Sequence, residues 1–134
     1  MHRKAFSALL LIFTACGGMK DPAAVADKFV DKYYVESDQD RALPFTTGVA
    51  AMHLKDELAL TAEGRRGPGG MPVRQVRVYY TRKALRGDGA GREADYELDI
   101  RPQGGGDLQR LAHLRLAQEP DGTWRVADFS ETQK

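Results

Sequence analysis

Residues 93–100 read Glu-Ala-Asp-Tyr-Glu-Leu-Asp-Ile, an unbroken alternation of acidic and apolar side chains. Successive side chains of a β-strand point to opposite faces, so this stretch describes a strand buried on one side and wet on the other. A helix would scatter Ala94, Tyr96, Leu98 and Ile100 around its circumference. One-sided strands belong to sheets with one covered and one solvated face, which is the habit of antiparallel sheets. The flanking sequence supplies the partners. In residues 76–85, Val76, Val78 and Tyr80 share one face while Arg77, Tyr79 and Lys83 share the other. Gly87-Asp88-Gly89-Ala90-Gly91 joins these two strands as a hairpin loop, because it lacks the Lys-Ser/Thr of a phosphate loop and leads into no helix. A third strand over 108–117 keeps Ala112, Leu114 and Leu116 in phase, and Glu119-Pro120-Asp121-Gly122 turns it into a fourth over 123–129. The second half of the chain is therefore an antiparallel meander with one buried face.

The first half has a different period. Asp21-Pro22 is an N-cap followed by proline at the first helical position, and Val25, Ala26, Phe29, Val30 and Tyr33 recur at helical spacing to an end near Val35. Ser37 and Asp38 cap a short turn that Pro44 stops, and residues 49–63 carry Ala51, Leu54, Leu58 and Ala62 along a third helical stripe. Gly64 to Pro72 read as a loop by composition. Helices followed by a meander make an α+β domain, with the helices on one face of a curved four-stranded antiparallel sheet.

Ahead of these elements, His2, Arg3 and Lys4 precede an apolar run over residues 5–15. As a helix that run is about 16 Å long, against a hydrocarbon core of roughly 30 Å, so it suits a signal-peptide core and not a membrane span. Its end, Phe13-Thr14-Ala15-Cys16, resembles the lipobox of bacterial lipoproteins. The resemblance implies that residues 1–15 are a cleaved signal peptide, that residues 16–20 are a lipidated tether, and that residues 21–134 are the folded domain. Cys16 would then be a membrane anchor, held by more than one acyl chain because one alone binds only marginally. Gly17 after the cysteine resembles the outer-membrane sorting pattern, which implies an outer-membrane anchor with the domain facing the periplasm or the cell surface. The alternative is an ordinary secretory signal that leaves Cys16 as a free thiol.

Charge and cysteine count narrow the function classes. The 20 basic and 19 acidic residues leave a net charge of +1, which offers no electrostatic footprint for nucleic acid. The single cysteine cannot form an intramolecular disulfide.

The element order, the helix carrying Phe29 and Tyr33, and a last strand reading Trp-Arg-Val-Ala-Asp-Phe over 124–129 resemble the NTF2-like, cystatin-related cone-shaped domains. A cystatin-type wrap of one helix, or another α+β roll, is the alternative. The resemblance implies a pocket between helices and concave sheet, in a superfamily of isomerases, dehydratases and non-catalytic binders. Its predicted lining is Phe29, Tyr33, Tyr80, Tyr96, Leu98, Leu114, Trp124 and Val126, with Asp128, Arg82 and Arg110 in the same phase. That lining suits a small apolar ligand, and it equally describes a filled core. Asp128 beside a tyrosine is the acid/tyrosine pair that a small isomerase- or dehydratase-type enzyme would use. No residue matches a catalytic motif, no cofactor is implied, and His53 and His113 lack the ligand spacing of a metal site.

The outer face carries Glu93, Asp95, Glu97 and Asp99, expected to stand beside Arg77 and Lys83, with Leu111 and Phe129 in the same phase. In NTF2-like proteins this face often forms a dimer interface, so Arg77, Glu97 and Asp99 are candidate contacts for a second copy or an envelope protein. The sequence thus points to a lipid-anchored envelope protein that binds a small apolar ligand or a partner protein. The enzyme and the structural subunit of an envelope complex stand as alternatives.

Overall fold

The computed structural model describes residues 18–65 and 76–134. The signal segment, Cys16 and residues 66–72 of the glycine-rich loop lie outside the described residues. After a 3-10 turn at Gly18–Lys20, helix α1 (Pro22–Val30) starts where Asp21 accepts the Ala23 N–H at 3.0 Å and Pro22 fills the first turn. Its inward stripe of Val25, Ala26, Phe29 and Val30 is fully buried.

The helix then widens into a π turn (Asp31–Val35), closed by the Glu36 N–H on the Asp31 carbonyl at 2.9 Å. A turn that bonds five residues back brings both the fourth and the fifth residue after Phe29 onto its face. Tyr33 stacks on Phe29 with ring centroids 5.4 Å apart, and Tyr34 meets it edge-on at 6.4 Å. The α-helical spacing of the sequence had room for Tyr33 only. Ser37 ends the turn in the left-handed region at φ 51°, where the Asp38 N–H returns to the Lys32 carbonyl at 2.9 Å. That closure is the one glycine usually makes.

Helix α2 (Gln39–Ala42) is capped by the Asp38 carboxylate on the Arg41 N–H at 3.0 Å and runs into a 3-10 turn containing Pro44. Thr46 bridges to Val126, and the Thr47 N–H donates to the Val126 carbonyl at 2.9 Å, covering part of an otherwise open sheet edge. Helix α3 (Gly48–Arg65) follows along that edge. It buries Ala50 and Leu54, leaves Ala51, Leu58 and Ala62 half-buried, and exposes Val49, Met52 and Leu60. No described helix is long and apolar enough to cross a membrane.

Strands β1 (Val76–Arg86), β2 (Gly91–Pro102), β3 (Leu108–Gln118) and β4 (Trp124–Gln133) form one antiparallel sheet in sequence order. Two bulges bend it. Lys83 is the extra residue between the pairs Arg82–Tyr96 and Ala84–Asp95, and Ala127 is the extra residue between Leu116–Val126 and Arg115–Asp128. Bulges increase local twist and bend the strand, so the sheet curls around α1.

The Ala127 bulge also inverts every side chain after it. Phe129, expected on the outer face, turns inward onto Phe29 and Tyr33 with centroids 5.0 and 4.9 Å away. Asp128, expected inside, points outward with its carboxylate 3.8 Å from Arg115. The concave face is packed solid at its centre: Phe29, Tyr96, Leu98, Leu114, Leu116 and Val126 are all at most 1% exposed, and Trp124 is 4% exposed.

Candidate functional site

Two polar sites flank that apolar centre, one at each end of the cone. At the end where β1 is bulged, the Tyr96 hydroxyl donates to Asp27 Oδ1 at 2.6 Å, and Arg82 Nη1 donates to both Asp27 oxygens at 2.9 Å. Tyr96 is fully buried, so its hydroxyl needs this acceptor. Tyr80 leans on the Tyr96 ring with centroids 5.9 Å apart. Burial first, and then the Asp27 carboxylate, hold both phenols above their ordinary range. This cluster bolts α1 to β1 and β2.

The opposite end leaves a space among the described residues. A cavity of about 230 Å³ lies between the π turn, Ser37 and Gln39 on one side and β1, β2 and β4 on the other. Its sheet side is apolar, made by Val76, Val78, Leu98 and Ile100, and its rim carries Tyr33, Tyr34, Gln39 and Glu131. A second layer holds that rim in place. The Tyr33 hydroxyl donates to Glu57 Oε1 at 2.6 Å, Gln39 Nε2 donates to Glu57 Oε2 at 3.1 Å, and His53 Nε2 lies 2.7 Å from the same carboxylate.

Burial and then the bond to Glu57 keep Tyr33 protonated well above the usual phenol range. Burial and then the carboxylate of Glu131 do the same for Tyr34. Neither tyrosine is a phenolate base near neutral pH, so the rim's chemistry is hydrogen bonding.

Of the residues singled out from the sequence, Phe29, Tyr96 and Trp124 are core, Tyr80 is half-buried, and Tyr33 and Leu98 reach the cavity. Asp128 is on the far side of the sheet. Val76, Val78, Leu98 and Ile100 show the expected phase, while Asp27, Tyr34, Gln39, Glu57 and Glu131 carry no sequence signal of their own. Their partners lie 69 positions apart in the Asp27–Tyr96 bond and 24 in the Tyr33–Glu57 bond, beyond any local pattern.

On the convex face the acids have partners other than those expected. Arg77 stands opposite Arg101. Glu97 pairs with Lys134 at 2.8 Å and Asp99 with Arg101 at 2.6 Å. Asp95 accepts from Arg86 and lies 2.6 Å from His113 Nδ1, which together hold its carboxyl below the usual range. A shallow groove of about 410 Å³ crosses this face, with Leu111 in it and Lys83, Glu97, Ser130 and Thr132 around it.

The fold has solved counterparts. It is similar to a ketosteroid isomerase-like protein from Erwinia carotovora atroseptica SCRI1043, with a TM-score of 0.60 over 88% of this chain and 97% of that one at 11% identity. It is similar to the Agrobacterium tumefaciens VirB8 protein, with a TM-score of 0.57 over 84% and 90% at 11% identity. The fold is NTF2-like. A domain of unknown function with a cystatin-like fold from Nostoc punctiforme PCC 73102 shares it, with a TM-score of 0.56 over 83% and 74% at 8% identity. No family model matches the sequence, and no curated protein does. In this NTF2-like cone, among the described residues, space between helices and sheet remains at the Ile100 end, while large side chains fill the centre.

Proposed function

We propose that this chain is a lipid-anchored envelope protein whose NTF2-like domain is a non-catalytic binding module for a small molecule with an apolar body. The observation that carries the binding role is the cavity of about 230 Å³ with an apolar wall and a hydrogen-bonding rim. Concave, mostly apolar spaces with a few fixed polar groups are the usual form of a ligand site. The raised tyrosines favour holding a ligand over moving its protons.

Native mass spectrometry of the full chain tests the binding role. A reproducible small-molecule adduct, lost when Ile100→Trp fills the cavity, is expected; an adduct-free protein together with no response to added apolar ligands would refute it. The anchor rests on the lipobox-like residues ending in Cys16. Cys16→Ser should release the protein from membranes, and membrane retention of a signal-cleaved variant would overturn the anchor.

A second role is favoured by a separate observation. The convex face exposes Tyr79, and Leu111 in its groove, which suits assembly with a second copy or an envelope partner. Sedimentation of the wild type against Leu111→Lys separates a dimer from a monomer.

A further inference from the structure

The 3-10 turn Gly18–Lys20 stands at the end of the cone away from the cavity. It packs on α1 and β4, with Met19 against the buried core. Lys20 lies by the β3–β4 hairpin: the Thr123 hydroxyl and N–H, and then Arg125 and Lys20, hold the Asp121 carboxyl below its usual range. The β1–β2 hairpin meets the other there. The Gln118 N–H donates to the Ala90 carbonyl at 3.0 Å, and the Arg92 guanidinium lies 5.2 Å from the centre of the Trp124 ring.

Val76, Leu98, Ile100 and Glu131 line the cavity at the other end. From Gly91 to Ile100 along β2 the span is roughly 30 Å, at about 3.3 Å per residue. Helix α1 and its π turn run the same way, from Asp27 beside Tyr96 and Arg82 to Tyr33 and Tyr34 at the cavity.

Only Gly17 separates Gly18 from Cys16, so their Cα atoms are at most about 7.6 Å apart. A lipid on Cys16 therefore brings the hairpin-tip end down to the membrane. The flanks resist lying flat. On the convex face Asp95, Glu97 and Asp99 are paired with Arg86, Lys134 and Arg101, and these pairs lose solvation in an apolar layer. On α3 the exposed Met52 and Leu60 have Asp56 between them, one turn from each, so that stripe carries a carboxylate with it into the interface. The tips, residues 87–90 and 120–122, hold no large aliphatic or aromatic side chain to insert.

We infer that the lipid anchor stands the domain on its two hairpin tips, against the polar headgroups, and holds the cavity in the aqueous compartment out of reach of the bilayer. This orientation rests on the lipid-anchor reading. An occupant of the cavity then arrives through water, not by transfer from the lipid.

Quenching of a bimane label on the lipidated chain in vesicles tests it. Once Cys16 carries its lipid the chain has no other thiol, so one introduced cysteine takes the label. Asp88→Cys reports on a hairpin tip, Leu60→Cys on α3 and Gly106→Cys on the β2–β3 loop at the cavity end, all exposed positions. In vesicles of phosphatidylethanolamine and phosphatidylglycerol with a headgroup-nitroxide lipid, fluorescence should be lost at Asp88→Cys and kept at Leu60→Cys and Gly106→Cys. Equal loss at Leu60→Cys or at Gly106→Cys, or no loss at Asp88→Cys, in a chain that floats with the vesicles overturns the orientation and leaves the anchor. Failure to float with the vesicles overturns the anchor reading and the orientation with it.

Discussion

Replacing Tyr96 by phenylalanine removes one oxygen from a fully buried side chain and changes nothing else in the core. The lost bond runs 2.6 Å to Asp27 Oδ1. Hydrogen bonds to charged acceptors contribute about 1.5 to 3 kcal/mol. Asp27 keeps Arg82 and is 40% exposed, so water replaces part of what it loses, and the low end of that range, about 1.5 kcal/mol, applies. With a urea slope of about 1.5 kcal/mol per molar, the unfolding midpoint read from Trp124 fluorescence should drop by about 1 M. Asp27→Ala should cost more, because it strands the buried Tyr96 hydroxyl and also frees Arg82. The double variant should then recover about 1 to 2 kcal/mol of non-additivity.

The alkaline limb gives a second reading of the same bond. The folded state raises the Tyr96 phenol above its unfolded value of about 10, so the stabilisation is whole below pH 10 or so and disappears as pH rises toward the folded value. Tyr96→Phe should therefore flatten the alkaline loss of stability. A midpoint shift under about 0.2 M, or Asp27→Ala milder than Tyr96→Phe, would refute the claim that this bond fastens α1 to the sheet.

Other perturbations separate the fold's remaining supports. Phe29→Ala empties the meeting point of Tyr33, Tyr34 and Phe129 and should cost about 3 to 5 kcal/mol in denaturant titration, enough to leave the protein largely unfolded. Gly87→Ala should lower the melting temperature, because φ is 103° there and a Cβ would lie 2.9 Å from the Gly91 carbonyl oxygen; Gly106→Ala, with open space, should leave it unchanged. Acid should weaken the convex face as pH falls through the depressed range of Asp95, since its charged form is favoured by Arg86 and then His113. Asp95→Asn should remove part of that acid slope in a series of melts, and an unchanged slope would rule the carboxylate out as its source.

The elements were legible because their signals are local. The alternation over 93–100 defines β2, and the Asp21-Pro22 cap with its apolar stripe defines α1. What stayed hidden were one-residue departures from regular periods. The π turn brings Tyr34 to the cavity beside Tyr33, and the Ala127 bulge exchanges the faces of Asp128 and Phe129. Neither has a composition cue, since Lys32-Tyr33-Tyr34 and Val126-Ala127-Asp128 fit a regular helix and strand equally well. The cavity was misplaced for a related reason. Inward phase identifies the residues facing the helices, but whether a space remains there depends on how closely α1 approaches, which rests on contacts between distant segments.

The Ala127 bulge bears on how this chain would be compared with its kin. A homologue without the extra residue would carry its β4 letters one place out of step beyond Val126, so a gapless alignment would match the inward Phe129 of this chain to an outward position of the other. Ancestry across such a strand is written in three-dimensional correspondence, and a single insertion suffices to erase it from the residue-by-residue record.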